Sequence, residues 1–356
     1  MSFASTAAAP GREASGWDQC PRAVALWLLA CCALIFAMVV VGGITRLTLS
    51  GLSITEWKPV SGILPPLSAA DWASEFEKYR QIPQYRLLNS GMSLAEFKTI
   101  YFWEYAHRLL GRLIGIAYAV PLLWFLLRRS LPRRLIGPLA GIFLLGGAQG
   151  ALGWYMVESG LADRVEVSQY RLAAHLALAL AIYTLMLWAA LGVLRPPAEA
   201  AVPARWLRAA EAVVALIGLT IVAGAFVAGL NAGLTYNTFP LMDGRLVPPG
   251  YAALHPFLLN WFENVPAVQF DHRLLAMTTA ASIVALWSAG MRAPLPPAAR
   301  GALHALLAAA GLQVALGIST LLLVVPIPLA AAHQAGAVLL LTTAIALRHT
   351  LRARPR

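Results

Sequence analysis

Charge is what this sequence has least of. Asp, Glu, Lys and Arg make up 12% of its 356 residues, about half the share of a soluble domain. Hydrophobic residues make up 59%, and the mean hydropathy is +0.69. A soluble globular protein is therefore excluded. Cysteine is scarce as well: Cys20, Cys31 and Cys32 all fall near the N-terminus, and none pairs with another in a loop. That excludes a disulfide framework and a cysteine metal site. Acids are fewer than bases, 16 against 27, for a net charge of +11. The placement of the bases, given below, argues against nucleic acid as a partner. The first apolar run is too long for a cleaved signal, and the preceding residues lack the arginine-rich character of a transit peptide. The sequence thus reads as a cytoplasmic tail, residues 1–21, followed by a retained helix.

Apolar length is present in abundance. Eight windows are long enough to cross a bilayer, about 20 residues each: roughly 22–44, 101–127, 134–156, 169–194, 206–230, 267–290, 300–324 and 328–350. Backbone groups in hydrocarbon must satisfy one another, so these windows are expected to be helices. Arg12, Arg22, the Arg128/Arg129/Arg133/Arg134 cluster, Arg195, Arg205, Arg208, Arg292, Arg300 and the stretch from Arg348 fall on one side. By the positive-inside rule that side is cytoplasmic, with both termini on it. The opposite side carries two long connections, about 45–100 and 231–266. In the first, Asp71–Arg80 and Met92–Lys98 have the pattern of short amphipathic helices over the bundle mouth.

An internal repeat organises the chain. A shift of 182 superposes Gly42, Gly51-Leu52, Gly62 and Pro66 on Gly224, Gly233-Leu234, Gly244 and Pro248. A shift of 165 superposes His107-Arg108-Leu109-Leu110 on His272-Arg273-Leu274-Leu275. Gln149 to Gly153 matches Gln313 to Gly317 at 164, and His175 matches His333 at 158. The expected fold is an all-α polytopic membrane protein, two tandem four-helix bundles in parallel repeat, residues 22–194 and 206–350.

The four matched histidines lie about six residues inside even-numbered spans that start at the outer face, roughly 9 Å below it. Polar groups at such depth usually carry function. Two imidazoles facing each other from two helices are a standard grip on haem iron, and small residues beside them leave room for a ring: Ala106, Gly111, Gly115, Ala173, Ala174, Ala177, Ala330 to Ala332 and Gly336. Arg108 and Arg273 follow two of the histidines and are placed for haem propionates. Interhelical hydrogen bonding is the structural alternative; bare zinc is disfavoured because each pair lacks further ligands. His255, His304 and His349 have no repeat partners and read as ordinary surface or interface histidines. The halves differ at one place: Glu104 stands three residues before His107, where Gln269 precedes His272. Only the first half has a carboxylate fit for proton transfer; an i, i+4 ion pair with Arg108 is the alternative.

The sequence resembles the haem A synthase family. The resemblance rests on Gly42 to Thr48, Ser50 to Ser53, Trp57-Lys58-Pro59, the loop from Glu77 to Lys98, Glu104 to Arg108, and Phe270 to Arg273. It implies oxidation of the C8 methyl of haem O to a formyl group, through a hydroxymethyl stage and a hydrated aldehyde. His107 and His175 would hold the substrate haem, with Glu104 as catalytic carboxylate, and His272 and His333 a haem b. The implied setting is a bacterial inner membrane, with haem sites toward the periplasm. The implied partners are haem O and haem A, haem O synthase, oxidase assembly factors, an unnamed electron donor and membrane lipid. A homo-oligomer is left open. Some members carry a loop cysteine pair; this chain has none there. The competing readings are a quinol-linked dihaem b-type electron carrier and a transporter.

Overall fold

The structure, a computed structural model, describes residues 22–58, 61–162, 164–194 and 202–352. The tail 1–21 with Cys20, Pro59, the link residues Arg195 and Glu199, and the last arginines of the C-terminal stretch lie outside them. The described residues form helices α1 (Arg22–Leu47), α2 (Ala69–Arg80), α3 (Pro83–Leu87), α4 (Leu94–Leu127), α5 (Arg133–Leu161), α6 (Gln169–Leu194), α7 (Ala204–Gly229), α8 (Asn260–Glu263), α9 (Val265–Met291), α10 (Pro297–Leu322) and α11 (Ile327–Thr350). Eight of these, all but α2, α3 and α8, are long and apolar enough to span a membrane. Prolines cap the starts of α5 and α7 and stand at the first or second position of α9, α10 and α11, where a missing N–H costs nothing.

One expectation changes. Met92–Lys98 is not a separate loop helix: Ser93 and Glu96 form a capping box, and the helix it starts runs unbroken into the second span. A capped start followed by good helix formers, with no Gly or Pro before Gly111, leaves nothing to end the helix. At 34 residues α4 is about 51 Å long, so its first turns project beyond the bilayer. There Phe97 and Tyr101 pack with Ile54, Tyr79, Trp72 and Phe76 in an aromatic cluster separate from the membrane core. α2, opened by its own Ser68–Asp71 capping box, lies on this projecting end.

The inner layer is α1, α6, α7 and α11; α4 and α5 flank it on one side, α9 and α10 on the other. Helix neighbours in the first half (α1 with α4 and α6, α5 with α6) recur in the second (α7 with α9 and α11, α10 with α11). One apolar core runs through both halves, from Leu28 and Ile35 to Leu341 and Ile345. Tyr183 and Thr342 share a 2.8 Å hydrogen bond across it, and the Gln334 amide donates to the Val39 carbonyl. At the outer face, Arg46 on α1 donates to the Ala228 carbonyl, Asn231 and Glu166, which ties the halves together again.

Candidate functional site

Each of the four matched histidines meets a glycine from a neighbouring helix. A Cβ built on Gly42 of α1 would lie 3.1 Å from Nε2 of His107, and one on Gly153 of α5 would lie 2.9 Å from Cε1 of His175. In the second half, Gly224 of α7 and Gly317 of α10 come within 3.0 and 2.8 Å of Cε1 of His272 and His333. Any side chain larger than hydrogen would press on these rings. Gly42 and Gly224 each lie five residues before the outer end of their helix (47 − 42 and 229 − 224), about 8 Å deep. His107 thus sits near the expected depth, although α4 starts 13 residues before it (107 − 94).

His107 stands on α4 and His175 on α6, and His272 on α9 and His333 on α11. Each keeps part of its surface uncovered although helices surround it. The Nδ1 of His272 bonds the Thr220 carbonyl at 3.2 Å. Gln149 of α5 donates to the His175 carbonyl at 3.0 Å, and its amide nitrogen lies 3.3 Å from His175 Nε2. Several buried polar atoms here have no protein partner: Nδ1 of His175 and of His333, Oε1 of Gln149, Gln269 and Gln313, and Nε of Arg273. Such atoms normally cost about 1–3 kcal/mol each, so their gathering at two places marks sites that a ligand completes. No group of three potential ligands occurs among the described residues. Two imidazoles without a third suit an iron whose equatorial positions a porphyrin already fills. The residues present fit haem.

The outer rims repeat down to single carbonyls. Arg108 donates to the carbonyls of Ile54 and Glu56, and Arg273 to those of Tyr236 and Thr238, each 182 positions on. The guanidiniums expected at haem propionates therefore hold the connection that follows the first helix of their own half. The carboxylate asymmetry is equally concrete. Glu104 is 2% exposed; its Oε2 accepts from the Ser53 hydroxyl at 2.7 Å and the Ile54 N–H at 2.8 Å. Its Oε1 accepts from Arg108 at 2.6 and 3.0 Å, so the i, i+4 pair does form. At the corresponding place Gln269 donates weakly, at 3.3 Å, to the Tyr236 carbonyl. Beside His272, Asp271 accepts from the Tyr251 hydroxyl. His255 and His304 are exposed, and His349 is buried against Trp188, in line with the reading of these three.

Sequence reasoning named the histidines, Glu104 and both arginines. It missed the ring contacts of the glycines, the Thr220 carbonyl, Ser53 and the glutamines beside His175 and His333. The available signal was the repeat itself: Gly42, Gly153, Gln149 and their counterparts survive in both halves.

Above the first site, Lys58 and Lys78 hold the Glu56 carboxyl below the usual carboxylate range, at 2.5 and 2.9 Å. A depressed pKa means the contribution is present above about pH 4.3 and is lost as pH falls through the lower folded value. The three side chains are exposed, so the effect on stability is small. Limited proteolysis between residues 61 and 92 should quicken as pH drops from 6 to 3, and Glu56→Gln should flatten that dependence.

Fold and site together define a class: a membrane protein with eight helices long and apolar enough to span a bilayer, four of which carry a histidine toward the same end of the bundle. The family model of cytochrome oxidase assembly proteins matches residues 25–345. A protein of Nitrosospira multiformis named heme A synthase is 54% identical over 334 residues, 93% of this chain and 94% of its own. One of Rhodospirillum centenum with the same name is 54% identical, covering 98% of this chain and 92% of its own. The heme A synthase COX15 of Arabidopsis thaliana is 46% identical over 95% and 76%. The chain belongs to the haem A synthase family.

Proposed function

We propose that this protein performs the reaction its relatives are named for, oxidising the C8 methyl of haem O to a formyl group to give haem A. The observation that carries the reading is the doubled imidazole pair, each ring set against a glycine, with a buried carboxylate in one half only. His107 and His175 hold the substrate haem; His272 and His333 hold a haem b. That resident haem supplies redox chemistry that side chains lack.

The protein's own residues bind, cover and move protons. The hydroxyl of the hydroxymethyl stage must give up its proton as the carbonyl forms, and Glu104, one helical turn from His107, is placed to receive it. The Ser53 hydroxyl on Oε2 offers an exchangeable proton beside the carboxylate, and Arg108 on Oε1 steadies its negative form. The same two contacts draw the 52–58 connection over the outer rim, which keeps water from the site. Arg273 does this for the second site, where Gln269 stands in place of Glu104. The basic ends of the helices face the cytoplasm and the histidines the periplasmic side of the inner membrane. Haem O synthase as supplier and oxidase assembly factors as recipients follow from substrate and product.

Pigment analysis tests the reading. Cells with the gene should contain haem A, and cells without it should accumulate haem O. An unchanged ratio would favour a dihaem electron carrier instead.

A further inference from the structure

The glycines do more than make room. In a helix the carbonyl four residues back lies beside the N–H of the residue in question. A glycine therefore exposes that carbonyl to a side chain approaching from a neighbouring helix. Four residues before Gly224 is Thr220, whose carbonyl accepts from His272 Nδ1 at 3.2 Å. Four residues before Gly317 is Gln313, but Nδ1 of His333 has no hydrogen-bond partner. The Thr220 hydroxyl bonds Thr279 of α9 at 2.9 Å, which locks α7 to the helix that carries His272.

Neither His175 nor His333 has such a bond, although Gly153 meets Cε1 of the first as Gly317 meets Cε1 of the second. Gly42 is the repeat counterpart of Gly224, yet it meets the Nε2–Cδ2 edge of His107. His175 Nδ1 has no partner, and the Gln149 amide lies on its Nε2 side instead.

We propose that Gly224 is a positioning residue of the C-terminal pair: it brings α7 against the His272 ring, so that the Thr220 carbonyl holds Nδ1 and leaves Nε2 free for iron. A hydrogen bond from Nδ1 fixes the tautomer and raises ligand basicity. The His272 ring is thus oriented before haem arrives, as a retained cofactor requires. The inference rests on the haem assignment of the preceding section.

The test compares glycines on the same helix. Gly218 of α7 has nothing within 4 Å of a built Cβ, so Gly218→Ala is the control. Full-length protein purified from membranes is assayed for haem b content, low-spin spectrum and haem midpoint potential. Gly224→Ala should lower haem b retention about tenfold or more. Haem that remains should show a raised midpoint potential, because its ligand has lost the Nδ1 bond, while the control matches wild type. If Gly224→Ala accumulates poorly, Gly224→Ala with His272→Ala should recover accumulation, since the clash is with that ring. Wild-type haem content and potential in Gly224→Ala would overturn the proposal, as would a double variant no better than the single. If His272→Ala leaves the haem content of the protein unchanged, the underlying assignment fails instead.

Discussion

Replacing Glu104 with glutamine is expected to leave a folded, haem-binding protein that makes almost no haem A. Removing one partner of a buried ion pair usually destabilises by about 3–5 kcal/mol. The second half of this chain shows why the cost should be smaller here. There Gln269 and Arg273 occupy the corresponding positions, and Arg273 is held by the Tyr236 and Thr238 carbonyls alone. Arg108 has the same two carbonyls, from Ile54 and Glu56, so the rim should hold and the loss should be nearer 1–3 kcal/mol. Haem b should stay bound, because its ligands are in the other half. Haem O oxidation should fall by about 10²–10⁴, the range for removing a proton-transfer group. The measurement is the haem A to haem O ratio in cells complemented with the variant, alongside haem b content of the purified protein. Normal haem A formation would make Glu104 only the anchor of the 52–58 connection.

The histidine pairs should respond separately. His272→Ala is expected to strip haem b, since one imidazole must then hold the iron alone, and to abolish haem A formation with it. His107→Ala should leave haem b in place and prevent retention of haem O or haem A. In each case the affinity of the affected site should fall by at least about 10–100-fold, the usual cost of disturbing even an outer partner of a metal ligand. Extraction and mass identification of the bound haems from wild type and both variants reads this directly. Loss of all haem in both variants would mean the pairs are one interdependent site, and no loss in either would remove the imidazoles as ligands.

Much of this was legible along the chain because a bilayer punishes polarity so heavily. The seven spans other than α4 matched helices to within a few residues at each end, since ladders of apolar residues twenty long have no other stable form in hydrocarbon. His107 and Glu104 stood out for the same reason. The extension of α4 was not legible: Met92–Lys98 looks like any amphipathic loop helix until the chain is seen to continue past it without a break. The occupation of Arg108 and Arg273 by loop carbonyls was hidden too, because a guanidinium advertises its charge in sequence but not which oxygens will reach it.

Composition and periodicity alone determined that the protein spans a membrane eight times, repeats itself, and sets four imidazoles near one face, because those features follow from transfer energies that act residue by residue. Only the packed helices decided which glycine touches which ring, which carbonyl meets His272, and that Glu104 closes on Ser53, Ile54 and Arg108 at once. Apart from the Glu104–Arg108 pair, those contacts join residues 16 to 65 positions apart, and their distances depend on how closely two helix axes approach. Helix spacing is a property of the assembled bundle, which no single stretch of chain encodes.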